Sequence, residues 1–353
     1  MLFIPILLLL FVSLKKDSSL GRLLIYKVSA NIFQNNWLWG IGLGNFKVQY
    51  NLYQANYFSG HSIDSNEALL ADNTFYAFND LWQLLIEVGT IRFAVLVTIV
   101  IIIFRHFSNY IIRLDKAHLF YGAMSGLLCI TVASLFSYPF QVFSIQLTAL
   151  VYSAVVLFSL TASNKHFRGS KWPLLGAKAF CCAGILILCY QGCIKILFIE
   201  KSNEAFDLAR AGYKREALST YASLQHSFIM SGPALFSYAK QLYNSNRLTE
   251  ARTVLDEARK YYVDNEVYKL SASIAYEQGQ LAQAEKDYRT SMYMVPNRMR
   301  SRYELFNFYL ITKDTPNAIT WGHSILQMPV KVPSTITQNL KKQTSHILRQ
   351  VAR

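Results

Sequence analysis

The sequence predicts an all-α protein, in which a multi-span transmembrane helical domain is followed by an α-solenoid of helical repeats. Of the 353 residues, 52% are hydrophobic and only 16% are charged, against about 25% charged in ordinary soluble domains. Long runs carry no ionisable side chain, and the C-terminal part repeats with a nearly constant period. These observations disfavour a purely soluble fold.

Four membrane-spanning helices are predicted in the middle of the chain. No Lys, Arg, Asp or Glu occurs between Ala117 and Asn164, which is long enough for two spans of about 20 residues each. The four spans are placed at residues 85–104, 119–137, 142–162 and 176–198. Arg92 lies within the first of them, so this charge is expected near the lipid head groups or facing protein.

The first 14 residues are apolar and precede Lys15 and Lys16. As a helix they reach about 21 Å, which is short of a hydrocarbon core about 30 Å thick. They have neither a basic start nor a small-residue cleavage site, which argues against a signal peptide. Residues 1–14 are interpreted as a partial span, and we expect longer relatives to have further helices before it.

The basic residues predict the orientation of the spans. Short loops rich in Lys and Arg stay in the cytoplasm. Two predicted loops are of this kind, and their basic residues are Arg105, Arg113 and Lys116 in one and Lys165, Arg168, Lys171 and Lys178 in the other. Residues 15–84 and 200–353 are then expected on the opposite side, which is the periplasm in a Gram-negative cell.

After residue 200 the sequence predicts repeated helical hairpins. The small residues that would open the second helix of each hairpin are Ala217, Ala251, Ala284 and Ala318, at spacings of 34, 33 and 34 residues. This is the period of the tetratricopeptide repeat. Because each hairpin buries its apolar face only by stacking on a neighbour, residues 200–353 are predicted to form a tetratricopeptide solenoid. An unrelated helical bundle is the alternative.

Charge and cysteine content argue against two classes of function. The net charge is 0 in residues 15–83, +7 in residues 84–199 and +7 in residues 200–353. Since no dense basic block occurs, no nucleic-acid partner is expected. All five cysteines lie in apolar runs without acidic or histidine neighbours at ligand spacing. We therefore predict no metal site, no disulfide framework and no cofactor.

Residues 15–84 carry the candidate functional side chains. Arg22 can hold a phosphate or pyrophosphate bidentately at the membrane surface, with an interfacial anchor as the alternative. His61 is the only histidine of this segment and can act as a general base, with a solvated loop histidine as the alternative. Glu87 lies five residues before Arg92, so these two residues can also form a partly buried ion pair.

The rest of this segment is predicted to have a structural role. It is rich in aromatic residues, which are expected to anchor it at the membrane surface. The glycines of residues 40–45 lack the spacing and the βαβ context of a nucleotide-binding loop. They are predicted to form a turn.

The same residues resemble the O-antigen ligase and polymerase family. Residues 21–27 (GRLLIYK), 39–46 (WGIGLGNF) and 50–58 (YNLYQANYF) are similar to its large periplasmic loop, and residues 77–89 (AFNDLWQLLIEVG) to its signature before the next span. The C-terminal repeats, including the ending PVKVPS at residues 329–334, resemble Bacteroidetes-type members. The resemblance implies a multi-pass protein of the bacterial inner membrane, active in lipopolysaccharide biosynthesis.

The activity that this resemblance implies is metal-independent glycosyl transfer from undecaprenyl pyrophosphate to an acceptor hydroxyl. A ligase uses the lipid A core as acceptor, and a polymerase uses another glycan repeat unit. Arg22 matches, by its Gly-Arg context, a family arginine that neutralises the leaving pyrophosphate. The ligase histidine before Asn79 is replaced by Phe78, so His61 is the candidate base. The residues expected in substrate binding are Lys27, Gln54, Asn79 and Glu87.

A second function class stays open, a membrane-tethered tetratricopeptide scaffold without catalysis. Arg92 replaces a family glycine, and several N-terminal spans are missing, so we also expect a truncated or inactive member. The expected partners are the undecaprenyl-linked glycan, a lipid A core or glycan acceptor, membrane lipid, and a protein bound to the repeats.

Overall fold

A computed structural model of the chain describes residues 16–111, 118–162, 172–225, 231–330 and 333–351. These residues form helices joined by turns, and no strand occurs among them. The prediction of an all-α protein is thereby confirmed. The predicted partial span at residues 1–14 lies outside the described residues, as do the loop residues Arg113, Lys116, Lys165, Arg168 and Lys171.

The helices are numbered here in chain order. The first six are α1 (Lys16–Asn36), α2 (Phe46–Ser59), α3 (Asn66–Leu70), α4 (Asp80–Ile111), α5 (His118–Ser134) and α6 (Phe143–Ala162), with a 3₁₀ turn at Pro139–Gln141 before α6. The others are α7 (Trp172–Arg210), α8 (Lys214–Gln225), α9 (Gly232–Asn244), α10 (Leu248–Arg259), α11 (Asn265–Glu277), α12 (Leu281–Met294), α13 (Met299–Ile311), α14 (Thr315–Gln327) and α15 (Thr335–Val351).

The chain divides into two compact units. Among the described residues, the first comprises those up to Asn35, those of Gly44–Phe75 and those from Glu204 onward. The second comprises Asn36–Leu43 and the described part of Tyr76–Asn203. Residues 15–84, which carry most of the candidate site residues, are therefore divided between the two units. Most of them belong to the same unit as the C-terminal helices.

In the first unit, successive C-terminal helices pack as pairs, α9 with α10, α11 with α12 and α13 with α14, and α15 covers α14. The periodic alanines Ala217, Ala251, Ala284 and Ala318 are each the fourth residue of α8, α10, α12 and α14. All four are completely buried. A methyl group at the same point of every second helix allows close approach of its neighbours.

The segment from α2 to Phe75 belongs to the core of this unit. Helix α2 packs against α12. Ala55 of α2 is buried in one cluster with Val263, Met294 and Val295 of the C-terminal helices. Helix α2 and the C-terminal helices therefore share a hydrophobic cluster.

In the second unit, α4 is interrupted at Gly89, whose backbone (φ 77°, ψ 168°) is not helical. The turn at residues 37–43 packs against this break. Thr90 N donates to Trp37 O at 2.8 Å, and Gly42 N donates to Glu87 O at 2.8 Å. Gly40 and Gly42 have positive φ angles of 71° and 92°, as a glycine-rich turn requires.

Among the described residues, two helices are long and apolar enough to cross a membrane, Asp80–Ile102 and Lys178–Arg210. Two shorter apolar helices, His118–Ser134 and Phe143–Ser159, lie between them. The four overlap the predicted spans at residues 85–104, 119–137, 142–162 and 176–198. The chain therefore contains membrane-type helices.

Candidate functional site

The predicted site residues fall into two groups. Arg22, Lys27, Gln54 and His61 belong to the first unit, whereas Asn79 and Glu87 belong to the second. Each group is described within its own unit. Only in the first unit do several of these side chains converge.

Lys27 of α1 forms a polar cluster with residues of α2 and α3. Its Nζ lies 3.0 Å from Glu67 Oε1 and 5.1 Å from the centre of the Tyr57 ring. Tyr57 OH donates to Glu67 Oε2 at 2.6 Å. Ser65 accepts from Ala68 N at 3.2 Å and so caps α3, which fixes the turn that presents Glu67. Glu67 therefore joins the three helices.

His61 extends this cluster just after the end of α2. Its ring stacks on Tyr57, with ring centres 4.0 Å apart. Its Nδ1 lies 2.6 Å from the carbonyl oxygen of Tyr57. A carbonyl oxygen can only accept, so Nδ1 carries the hydrogen. Nε2 of the neutral ring is then the nitrogen that can take up a proton.

These contacts shift the pKa values of Glu67, Lys27 and Tyr57. The hydrogen bond from Tyr57 and the Lys27 ammonium hold the pKa of Glu67 below its ordinary value, against a smaller opposing effect of burial. Hydrogen bonds to Tyr57 and Glu67 raise the pKa of Lys27. Burial, followed by the contact with Glu67, raises the pKa of Tyr57. The ion pair is therefore formed at neutral pH, with Tyr57 protonated.

Glu67→Gln is expected to lower the unfolding temperature at neutral pH by roughly 2 °C, since an exposed ion pair contributes little. The pKa of Glu67 is lower in the folded protein, so its contribution is complete above the unfolded pKa and disappears as the pH falls through the folded pKa. The difference from wild type should therefore shrink below pH 4.5, the ordinary value for this side chain. Unfolding followed by circular dichroism in detergent measures it.

Glu216→Gln, which changes an exposed acid of α8, is the matched control. It removes the same charge from the same unit without touching the cluster. A Glu67→Gln effect as large at pH 3.5 as at neutral pH would contradict the proposed ion pair.

Arg22 lies on the same helix as Lys27 and is half-buried. Five residues along an α-helix correspond to a rotation of about 140° around its axis. The two cations therefore leave α1 on different sides. Arg22 is not one of the residues that build the cluster of Lys27, Tyr57, Glu67 and His61.

Gln54 has its side-chain amide engaged inside the protein. Nε2 donates to Met294 O at 2.5 Å and to Asp72 O at 3.1 Å, and Oε1 accepts from Tyr50 OH at 3.0 Å. The residue is 1% exposed. Its amide therefore forms a buried bridge between α2 and the end of α12.

Asn79 and Glu87 hold the start of α4. Asn79 Oδ1 accepts from Trp82 N at 2.9 Å, and its carbonyl accepts from Gln83 N at 2.9 Å, which is the geometry of a helix N-cap. Glu87 is buried and accepts from Gln83 Nε2 at 3.2 Å. Both predicted substrate residues therefore make structural contacts.

Phe78 stands where the ligase pattern has histidine. Its ring meets Tyr138 edge to face, with ring centres 5.2 Å apart. Tyr76 stacks on the same Tyr138 at 4.6 Å. An aromatic packing role therefore accounts for Phe78 at this position.

Sequence reasoning missed Glu67, Tyr57 and Arg302. Glu67 and Tyr57 contact Lys27 and His61. Arg302 of α13 lies 238 residues from Asp64 in the sequence, and its Nη1 is 2.8 Å from Asp64 Oδ1. The short spacing Ser65-Asn66-Glu67 is a weak sign of a capped helix. No sequence pattern near residue 64 or within α13 indicates that these two segments are in contact.

No protein-family model matches the sequence, and no curated protein matches it significantly. The assignment of a function therefore depends on the residues and distances described above, together with the resemblance in the sequence.

Proposed function

We propose that the chain is a membrane glycosyltransferase of the O-antigen ligase type, which transfers a glycan from undecaprenyl pyrophosphate to an acceptor hydroxyl. The observation that carries the proposal is the orientation of His61. Its Nδ1 is occupied by Tyr57 O at 2.6 Å, so the exposed ring offers Nε2 as a proton acceptor. A base held in one tautomer is what activation of a hydroxyl requires.

In the proposed reaction His61 Nε2 accepts the proton of the acceptor hydroxyl. The hydroxyl oxygen attacks the anomeric carbon of the glycan, and the bond from that carbon to the pyrophosphate oxygen breaks. Undecaprenyl pyrophosphate leaves with the bonding electron pair. Arg22 stabilises the negative charge that develops on it, since a guanidinium matches two phosphate oxygens at once.

Lys27 and Glu67 are proposed to orient the acceptor. Their side chains are 49% and 43% exposed, and Glu67 lies beside both Tyr57 and His61. An ammonium group and a carboxylate offer a donor and an acceptor to a polyhydroxylated molecule. Gln54, Asn79 and Glu87 support the fold in this proposal.

The topology belongs to the proposal as well. We infer a multi-pass protein of the bacterial inner membrane with residues 200–353 in the periplasm, where they form a tetratricopeptide solenoid. The burial of one alanine at the fourth position of α8, α10, α12 and α14 supports the repeat. The helices Asp80–Ile102 and Lys178–Arg210 support the membrane location.

The non-catalytic scaffold is a weaker candidate than the enzyme. Part of the repeat surface is already covered by the chain itself, because Gln54 and Asn51 of α2 bond to Met294 O and Val263 O. A protein partner would have to use another face. Polymerase activity uses the same donor chemistry and differs from ligase activity in the acceptor.

Deletion of the gene in its native strain, with surface glycans resolved on a stained gel, tests the proposal. We expect long glycan chains to disappear from the lipid A core while undecaprenyl-linked polymer accumulates. Loss of polymer in both fractions would indicate a polymerase. Unchanged glycans in a strain without a second such gene would contradict the enzyme and favour the scaffold.

A further inference from the structure

Arg302 of α13 is the largest side chain in the protein's described part that is buried to below 2% exposure. A buried guanidinium is costly unless its N–H groups are paired. Arg302 meets that requirement with five hydrogen bonds to four residues. Burial lowers its pKa, and the contact with Asp64 opposes that effect.

Two of the four partners lie just after His61 in the sequence. Nη2 of Arg302 donates to Ile63 O at 2.8 Å, and Nη1 donates to Asp64 Oδ1 at 2.8 Å. The other partners, Pro296 O and Ser324 Oγ, belong to the C-terminal hairpins. The guanidinium thus joins residues 63–64 to the hairpin core.

His61 is consequently held from both sides. On its N-terminal side the Tyr57 carbonyl binds Nδ1. On its C-terminal side Arg302 fixes residues 63–64, and Ile63 packs on the hydrophobic core of the hairpins. The histidine itself is exposed, so its direction depends on these two anchors.

We propose that Arg302 is a positioning residue for His61, through which the C-terminal hairpins orient the base of the transfer reaction. The expected effect of Arg302 on glycan transfer rests on the proposed function. Its expected effect on the position of His61 does not. The C-terminal hairpins then have a role within the catalytic unit, and deletion of them disables the enzyme without removing a reacting group.

Arg302→Lys tests the inference in the full-length protein in detergent. Lysine keeps the charge but cannot donate from one planar fork to Ile63, Asp64 and Pro296 together. We expect diethyl pyrocarbonate to form doubly modified His61 about tenfold faster. The second addition needs Nδ1, which is bonded to Tyr57 O, and loss of one hydrogen bond to a charged group shifts such a local opening by roughly that factor. Peptide mass spectrometry gives the rate for each histidine, and His118 and His346 serve as internal references.

Arg298→Lys is the matched control. Arg298 also joins the start of a C-terminal helix to residues 15–84, with Nη2 at 2.8 Å from Asp72 Oδ1. Its side-chain hydrogen bonds go to Asp72 and Asn265 and not to residues 61–64. We expect this variant to leave the labelling rate of His61 unchanged. In a transfer assay with purified components, Arg302→Lys should lower kcat about tenfold, with little change in the KM for the acceptor.

Four outcomes are informative. Faster labelling of His61 alone, with lower kcat, supports the inference. An unchanged rate at His61 overturns it, and faster labelling of all histidines also overturns it, because Arg302 would then serve only general stability. Faster labelling of His61 with unchanged transfer supports the anchor and overturns the role of His61 in the proposed function.

Discussion

Arg22→Ala is expected to reduce glycan transfer by at least about 100-fold, because removal of one preorganised donor from a developing negative charge has an effect of this size. The arginine follows Gly21 near the start of α1, and its proposed target is the leaving pyrophosphate. The measurement is the rate of transfer from undecaprenyl-linked glycan in purified membranes, normalised to the amount of protein.

Arg22→Lys distinguishes charge from geometry. Lysine supplies the charge as a point and not as a planar fork, so this variant should fall between alanine and wild type. Arg215→Ala, which removes an exposed arginine from α8 of the same unit, is the matched control and should transfer normally. Full transfer by Arg22→Ala, at wild-type abundance, would remove Arg22 from the site.

The repeat could be predicted from the sequence because its signal is local. Ala217, Ala251, Ala284 and Ala318 recur at almost constant spacing, and each of them is completely buried at the fourth position of its helix. The helical character of residues 200–353 follows from the same pattern. Apolar composition similarly located α4 to α7, although it could not give the length of each helix.

The fourth hairpin departs from the first three at two positions. Gly322 stands where they have Tyr221, Leu255 and Tyr288, and Phe306 stands where they have Ala205, Ala239 and Ala272. Gly322 occurs where the earlier units have larger residues, and a Cβ atom there would lie 2.7 Å from Leu348 Cδ2 of α15. Helix α15 can therefore pack this closely because residue 322 is a glycine. Phe306, which stands in place of the small residue of the other units, is completely buried.

The candidate site was only partly predictable. His61 could be selected as the only histidine of residues 15–84 and Lys27 by the resemblance, and both lie in one cluster with Tyr57 and Glu67. Gln54 was selected by its motif, but its amide is used by Met294 O, 240 residues away. Contacts over such separations depend on packing between elements, which single-sequence patterns do not encode.

Gly89→Ala is expected to remove most of the folded protein from the membrane fraction. The backbone at Gly89 (φ 77°, ψ 168°) belongs to a region that is essentially restricted to glycine, and strain of this kind costs about 1–3 kcal/mol. A Cβ atom would also lie 2.5 Å from Leu38 O and from Trp39 C. Both effects act on the same contact between α4 and the turn at residues 37–43.

Gly122→Ala is the control for this substitution, since a Cβ atom at this position in α5 meets nothing within 4 Å. Alanine inside a helix is more favourable than glycine by about 0.5–1 kcal/mol, so this variant should be at least as stable as wild type. Thermal unfolding of both variants in detergent, with membrane abundance by immunoblot, makes the comparison. Wild-type stability of Gly89→Ala would mean that α4 is not interrupted at Gly89 and that the turn at residues 37–43 does not pack there.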